Sequence, residues 1–339
     1  MKICIFGAGA VGSMLGGELA RVGQDVTLIA RGPHLAAMRE RGLTVIFTGE
    51  ERHSRPACTD NPSEAGPQDA VIFVVKAHQL AAAAQAAAPL IGAETTIVAA
   101  QNGIPWWYFH KHGGAFEGHR LNAVDPNGAI RGALNPERVL GAVINGSCAM
   151  VEPGRVSHHQ NNRSLTMGAP DGTIGPRAHA VADAFADTDV GAPLTDDIRR
   201  ALWHKLLSNL AGSMLSVLTL SNLGQVANDP GLRALSERLL REMEAVARGL
   251  GLDISAEVAA RIADEPHNST HKPSTLQDFE AGRPMEIDAI TGAVAEMGRL
   301  GGTPTPMIDS VYALLRQLGT STGSYPENPA FALDYGLFR

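Results

Sequence analysis

The first twelve residues impose the strongest constraint on the fold of this 339-residue chain. An apolar run over Lys2–Phe6 stops at glycine, and a helical pattern then runs to Val22. The turn between them has the pattern G-x-G-x-x-G and consists of Gly7, Ala8, Gly9, Ala10, Val11 and Gly12. A glycine turn between a buried strand and a helix is typical of a dinucleotide-binding βαβ unit, in which the helix N-terminus faces the pyrophosphate. We therefore expect these six residues to bind a dinucleotide; the alternative is a glycine-rich turn that binds nothing.

Strand and helix patterns alternate through the rest of the first hundred residues. Apolar strands are predicted at Asp25–Ala30, Asp69–Lys76 and Thr95–Ala100, with an accessory strand at Thr44–Phe47 and a helix at Ala77–Ala88. This alternation favours a doubly wound parallel sheet of the Rossmann type. The segment 139–168 has strands without clear helices, and we expect antiparallel strands that complete the same sheet.

From about residue 196 the pattern is nearly all helical. Helices are predicted at Ile198–Leu220, Gly231–Leu250, Ser255–Ala263, Ile287–Leu300 and Pro306–Leu318. The predicted fold class is α/β: an N-terminal Rossmann-type sheet over 1–195, an all-α C-terminal domain over 196–320 that binds substrate, and a tail over 321–339. The segment 106–136 has no clean period and is treated as an irregular insertion. It would reshape the mouth of the substrate site, or else form an apolar patch over a sheet edge or at a subunit contact.

Three polar residues follow predicted strands and are candidates for cofactor contacts. Arg31 follows the second strand, where NAD-binding sites usually have an acidic residue, and a guanidinium suits a 2′-phosphate. Lys76 and Asn102 end the next two strands, at the sheet edge where ligands bind. The cofactor is therefore predicted to be NADP(H). The alternative for all three is an ordinary surface role.

A polar stripe on an otherwise apolar helix gives the candidate catalytic residue. Lys205 and Asn209 are four residues apart, and Ser213 and Ser216 extend the stripe. Reduction of a ketone by hydride needs a proton donor at the carbonyl oxygen and groups that orient the substrate. A lysine in a partly desolvated cleft can be that donor, because burial lowers its pKa. The alternative is a solvated helix face.

A second candidate group lies further along the chain. Pro273 and Ser274 are predicted to begin a helix, and Glu286 with Asp288 falls in the first turn of the next one. Carboxylates at such positions are favoured by the helix dipole, so Glu286 could be a simple helix-start acid.

Composition limits the class of partner. The net charge of −7 argues against general binding to nucleic acid or to an anionic membrane. Three scattered cysteines fit a reducing cytoplasm and give neither a disulfide framework nor a zinc site. The twelve histidines show no ligand spacing, so no metal is expected. A homodimer is left open.

With these residues in view, the chain resembles the ketopantoate reductase (2-dehydropantoate 2-reductase) family from Met1 to about Leu318, apart from the insertion. The residues that carry the resemblance are the glycine turn, Arg31, Lys76, Gln101-Asn102-Gly103, Trp203-His-Lys205 with Asn209, Lys272-Pro-Ser274-x-Leu-Gln-Asp278 and Arg283-Pro-x-Glu286-Ile-Asp288. The last two, in this order and spacing, are the specific ones.

The resemblance implies NADPH-dependent reduction of 2-dehydropantoate to (R)-pantoate, a step toward pantothenate and coenzyme A. It implies that Lys205 protonates the carbonyl oxygen and that Glu286 lies near the substrate hydroxyl or the lysine. Asn209, Ser274 and Glu286 would hold the keto acid, and Asn102 and Lys76 would lie between cofactor and substrate. Asn102 and Ser213 are also predicted to contact the substrate.

The chain also departs from the family pattern. Ser213 stands where many members have a further asparagine, and His271 where some have asparagine. Two alternatives therefore stay open: a reductase of another 2-keto acid or of an opine-like imine, and a non-catalytic NADPH-binding sensor.

Overall fold

The computed structural model describes residues 1–158 and 163–333, and the chain divides into two compact units. Unit 1 comprises Met1–Gln101, Trp107–Gly113 and Ala129–Ile198. Unit 2 comprises Asn102–Trp106, Gly114–Gly128 and the chain from Arg199 onward. The chain therefore enters unit 2 twice before its helical part begins.

Unit 1 contains the parallel sheet that the alternating pattern predicts. Its strands are β1 Lys2–Phe6, β2 Asp25–Ile29, β3 Leu43–Phe47, β4 Glu50–Ser54, β5 Ala57–Thr59, β6 Gln68–Phe73, β7 Ile91–Ala99, β8 Val139–Asn145, β9 Cys148–Glu152, β10 Arg155–His158 and β11 Ser164–Gly168. Its helices are α1 Ala10–Arg21, α2 Gly32–Arg41, α3 Pro62–Ala65, α4 Leu80–Ala86, α5 Ala129–Ala133 and α6 Pro176–Asp183. The main sheet has the order β11-β8-β7-β6-β1-β2-β5, and every pair in it is parallel except β11 with β8.

The expectation that all strands after residue 139 complete one sheet is wrong in part. β8 and β11 extend the main sheet, but β9 and β10 form a second sheet with β3 and β4, in the order β4-β3-β10-β9. The predicted accessory strand is β3, and it pairs in parallel with β10, which lies over a hundred residues later. Local sequence patterns carry no information about such a distant pairing.

Helix α1 lies between the two sheets. A Cβ atom on Gly16 would lie 2.2 Å from Leu28 of the main sheet, and one on Gly17 would lie 2.7 Å from Val45 of the second sheet. Two consecutive glycines therefore let the helix approach both layers. The second sheet gives α1 an apolar cover, which is why this unit buries Val45, Phe47 and Val156.

Unit 2 is helical, as predicted. Its helices are α7 Ile198–Ser208, α8 Met214–Thr219, α9 Leu223–Asn228, α10 Pro230–Gly249, α11 Ser255–Ala263, α12 Ser274–Glu280, α13 Ala293–Leu300 and α14 Pro306–Thr322. Two π-helical segments interrupt the pattern: π1, Asn209–Ser213, joins α7 to α8, and π2, Asp288–Gly292, precedes α13. The two π-helical segments contact each other. Such segments are rare and often occur at functional sites.

The chain after α14 is more ordered than the predicted tail. The helix continues to Thr322 although only a loop was expected after Gly319. Phe331 and Leu333 are buried further on, so an irregular segment still packs against the unit. Within the described residues, no helix is long and apolar enough to cross a membrane.

Candidate active site

The glycine turn joins β1 to α1 as the sequence predicts. Gly7 has a φ of +107°, and a Cβ atom there would lie 2.7 Å from Val75. A Cβ atom on Gly12 would lie 2.2 Å from the carbonyl oxygen of Gly7. Packing therefore requires glycine at both positions. Gly9 differs, because a Cβ atom there would meet no atom within 4 Å.

The predicted cofactor residues of unit 1 follow neighbouring strands of the sheet. β1 lies between β2 and β6, and the glycine turn, Arg31 and Lys76 come after the carboxyl ends of these three strands. Arg31 is exposed and immediately precedes α2, while Lys76 is half-buried. Lys76 does not end its strand, since β6 stops at Phe73. Lys76 instead caps a short 3₁₀ turn over Ala77–Gln79.

Asn102 lies in unit 2 and contacts a residue distant in sequence. Its Nδ2 donates a hydrogen bond to Oε2 of Glu286 at 3.3 Å. Glu286 is buried, with 6% of its surface exposed, and immediately precedes the helical run that contains π2. Both residues were predicted as site residues from the sequence, and the fold brings them together. We find Glu286 to be more than an exposed helix-start acid, because its carboxylate is buried and partnered.

A backbone contact fixes the turn that carries Asn102. The Ile104 N–H donates to the Ala289 carbonyl oxygen of π2 at 2.8 Å. Gly103 has a φ of +83°, and a Cβ atom there would lie only 2.3 Å from that same oxygen. The turn can approach π2 only because it has glycine at this position. The sequence showed Gln-Asn-Gly as a turn, but its contact with π2 had no local signal.

Lys205 has the electrostatic character expected of an acid that works near neutral pH. It lies near the end of α7 and is half-buried. Desolvation lowers the pKa of its ammonium from the usual 10.5 to about 8, and the negative charge of Glu286 opposes that shift. The two residues are therefore electrostatically coupled, and burial is the stronger influence on the lysine.

The polar stripe beyond Lys205 is only partly as predicted. Asn209 is half-buried and begins π1, and Ser213, which ends π1, has 8% of its surface exposed. Residues four apart drift around an α-helix, and a π turn, which has more residues per turn, counters that drift between Asn209 and Ser213. Ser216 is fully buried, so the expectation that it also faces a cleft or water is wrong.

Ser274 begins α12, and Pro273 precedes it, as the sequence predicts. Its side chain is exposed, and the helix contacts both α8 and π1. Within the same helix, Asp278 is buried and accepts a hydrogen bond from Nε of Arg283 at 2.9 Å. That ion pair closes the turn before Glu286, which gives the Asp278 and Arg283 positions a structural role.

The aromatic residues of the predicted insertion are buried in the chain's own core. Trp106, Trp107 and Tyr108 have at most 3% of their surface exposed. The Trp107 ring packs over β8, where a Cβ atom on Gly141 would lie 2.2 Å from it. Trp107 therefore covers the sheet of unit 1, and none of these three buried aromatic side chains forms an exposed apolar patch.

A cavity of about 300 Å³ in unit 1 contains none of the predicted site residues. Lys111 lines it and pairs with Glu137 at 3.0 Å and with Asp171 at 3.1 Å. A hydrogen bond from the Thr173 hydroxyl, helped by this lysine, lowers the pKa of Asp171 to about 2. Lys111, Glu137 and Asp171 thus compensate one another's charges.

The fold and the chemistry of these groups define an oxidoreductase built on a Rossmann-type sheet and a helical unit. Residues 3–106 match the family model described as "Ketopantoate reductase PanE/ApbA", and residues 197–319 match its C-terminal counterpart. The chain belongs to the ketopantoate reductase family.

Relatives and solved structures agree with this assignment. A 2-dehydropantoate 2-reductase of Mesorhizobium japonicum is 43% identical, over 96% of this chain and 100% of the relative. The crystal structure of a putative ketopantoate reductase from Ralstonia solanacearum superposes with a TM-score of 0.87 at 37% identity, covering 96% of this chain and 99% of that one. A D-mandelate dehydrogenase solved with NADH and anilino(oxo)acetate superposes with a TM-score of 0.80 at 25% identity, covering 95% and 99%.

Proposed function

We propose that this protein uses NADPH to reduce 2-dehydropantoate to (R)-pantoate, a step toward pantothenate and coenzyme A. The observation that carries the proposal is the cluster in unit 2, where a lysine with a pKa of about 8 is coupled to a buried glutamate that accepts a hydrogen bond from Asn102. Full-length similarity to a 2-dehydropantoate 2-reductase supports the choice of substrate.

The residues of unit 1 fit a dinucleotide. Gly9 caps α1 without a side chain, and the space beside it would admit a pyrophosphate to the helix N-terminus. Packing explains Gly7 and Gly12 but not Gly9, so ligand approach is the remaining reason for a glycine there. Ala8, Ala10 and Val11 complete the turn and present no charged side chain to a phosphate.

Arg31 supports NADPH over NADH. It is exposed directly after β2, at the position where the ribose of the adenosine half is recognised in Rossmann-type sites. A guanidinium there would pair with a 2′-phosphate in a charge-assisted, bidentate manner. Lys76, after the neighbouring strand β6, adds a second cation for the cofactor or substrate.

Bound dihydronicotinamide would supply a hydride to the carbonyl carbon of the keto acid. The ammonium of Lys205 would give its proton to the carbonyl oxygen, so the ketone becomes a secondary alcohol and the lysine is left neutral. A lysine with its ordinary pKa would hold this proton too strongly; with a pKa of about 8 it is still mostly charged at neutral pH but gives up its proton more readily.

The other predicted residues would orient the substrate. Glu286 would accept a hydrogen bond from the substrate hydroxyl while keeping Lys205 charged, and Asn102 holds that carboxylate in place. Asn209, Ser213 and Ser274 would bind the keto acid's carboxylate and hydroxyl groups from α12 and from the helix of Lys205. Their effect would be to hold the carbonyl carbon in line for transfer.

Reduction of an aromatic 2-keto acid is the second candidate. The superposition on a D-mandelate dehydrogenase at a TM-score of 0.80 favours it, because that protein was solved with a phenyl-bearing oxoacetate and NADH. The same acid and the same substrate-carboxylate contacts would serve both reactions, so only the pocket for the side chain would differ.

A substrate panel tests the proposal. Purified protein is assayed for NADPH oxidation with 2-dehydropantoate, pyruvate and phenylglyoxylate, and the series is repeated with NADH. We expect the highest kcat/KM with 2-dehydropantoate and NADPH. A value for 2-dehydropantoate no better than for pyruvate rejects the substrate, and a higher value for phenylglyoxylate supports the second candidate. Tight NADPH binding without oxidation by any keto acid would indicate a sensor.

A further inference from the structure

Residues 324–333, which we call the C-terminal strap, run against π2 in unit 2. The N–H of Met285 donates to the carbonyl oxygen of Ser324 at 2.9 Å. The hydroxyl of Tyr325 donates to Asp288, at 3.1 Å from Oδ1 and 3.2 Å from Oδ2. Ser324 thus holds Met285, which immediately precedes Glu286. Tyr325 holds Asp288, two residues after Glu286.

The contact at Asp288 is reinforced from α14. The hydroxyl of Tyr312 donates to Oδ1 of Asp288 at 2.9 Å, so two phenols converge on one carboxylate. Burial and the charge of Asp288 raise the pKa of Tyr325 to about 12, which keeps its hydroxyl protonated as a donor. The guanidinium of Arg316 lies 5.8 Å from the centre of the Tyr325 ring.

The strap also covers the far end of π2. The buried Phe331 ring lies so close to Gly292 that a Cβ atom on that glycine would be 2.8 Å from it. Asn328 donates from Nδ2 to the carbonyl oxygen of Asn122 at 3.2 Å. The strap therefore contacts π2 at both ends and is itself anchored by a second segment of unit 2.

We propose that the C-terminal strap is a positioning element of the active site, in which Tyr325 fixes the Glu286 carboxylate through Asp288 and π2. Movement of π2 would displace the Ala289 carbonyl, which holds the turn of Asn102, so both partners of the hydrogen bond depend on it. The strap lies beyond the family-model match, which ends at residue 319. The inference rests on the proposed role of Glu286.

A double-mutant cycle tests the coupling. Tyr325→Phe removes the hydroxyl and keeps the ring, and it is made both in the wild type and in Glu286→Gln. We expect about a tenfold fall in kcat/KM for the keto acid in the wild type but less than about twofold in Glu286→Gln, because the strap acts through that carboxylate. The Kd for NADPH should not change. Tyr108→Phe is the matched control, since it removes a phenol hydroxyl from unit 1.

The outcomes separate this inference from the proposed function. Equal losses from Tyr325→Phe in both backgrounds, with Glu286→Gln itself impaired, would overturn the strap alone. A fully active Glu286→Gln would overturn the role of Glu286 and the strap together. Hydrogen exchange gives a readout that needs no activity: peptides over 285–293 and 102–106 should exchange faster in Tyr325→Phe and not in Tyr108→Phe. Unchanged exchange in those peptides would also overturn the proposal.

Discussion

Asn102 and Glu286 are 184 residues apart in sequence, and they share a hydrogen bond of 3.3 Å between Nδ2 and Oε2. Asn102 follows the last parallel strand before the insertion, whereas Glu286 precedes a π-helical segment. The turn that carries Asn102 is held by a backbone hydrogen bond from Ile104 to Ala289. This close approach requires glycine at position 103, between Asn102 and Ile104.

Replacement of Gly103 should disrupt this contact. Gly103→Ala places a Cβ atom 2.3 Å from the Ala289 oxygen, so we expect at least a tenfold loss in kcat/KM and a lower free energy of unfolding, by about 2–3 kcal/mol. Gly251→Ala is the matched control, because Gly251 has a similar φ of +87° but open space around it. Steady-state assays and chemical denaturation measure both effects. Equal activity in the two variants would contradict the role of the close approach.

Removal of the Lys205 ammonium should abolish most of the catalysis and leave cofactor binding intact. For Lys205→Ala we expect a fall in kcat of about 10²–10⁴-fold, because that is the usual contribution of a positioned acid. The Kd for NADPH, measured by fluorescence titration, should stay within about twofold of the wild type, because most of the predicted cofactor contacts lie in unit 1. A twofold change corresponds to well under 1 kcal/mol of binding free energy. His204→Ala on the exposed side of the same helix is the control. Unchanged turnover in Lys205→Ala would reject the mechanism.

The pH dependence of reduction should report the pKa of Lys205. The acid must be protonated, so kcat/KM should fall as the pH rises above about 8. The charge of Glu286 raises this pKa, so in Glu286→Gln the falling limb should move to lower pH. A limb that stays in place, or moves to higher pH, would contradict the electrostatic coupling of these two residues.

Arg31 should decide the preference for NADPH. For Arg31→Ala we expect KM for NADPH to rise about 10–100-fold, the equivalent of one strong charge-assisted contact, while KM for NADH changes little. Arg41→Ala is the control, because Arg41 is an exposed arginine in the last turn of α2. Parallel losses with both cofactors would remove the basis for the 2′-phosphate contact.

Glu18 should be a stability determinant of unit 1. Its carboxylate is fully buried and accepts hydrogen bonds from Arg21 at 2.9 Å and from Arg52 at 3.3 Å. Glu18→Gln removes the buried negative charge opposite these guanidinium groups, so we expect the free energy of unfolding to fall by about 2–4 kcal/mol. Glu50→Gln makes the same change on a side chain that is 68% exposed, and should cost less than about 1 kcal/mol. Denaturant unfolding of the two variants compares them directly.

Local patterns predicted the parallel sheet and the helical unit, and the structure confirms both. The glycine turn succeeds as a predictor because its steric needs lie within twelve residues: Gly12 must clear the carbonyl of Gly7. Lys205 and Glu286 were predicted from a polar stripe and from the family resemblance. Their catalytic roles, and the NADPH preference inferred from Arg31, stay predictions.

Long-range pairing was beyond the sequence. The second sheet joins β3 to β10, and the π-helical segments π1 and π2 contact each other although they are far apart in sequence. The burial of Ser216 and the folding of residues 324–333 over π2 were missed for the same reason.

The sequence by itself determined which residues form a glycine turn, where most of the strands and helices lie, and which side chains have the chemistry of an acid and its partners. Only the tertiary structure decided that Asn102 meets Glu286, that the Lys205 pKa falls to about 8 and that the strap holds Asp288. The physical reason is that steric and capping preferences act over a few residues. Desolvation and hydrogen bonding between distant segments exist only once the chain has packed.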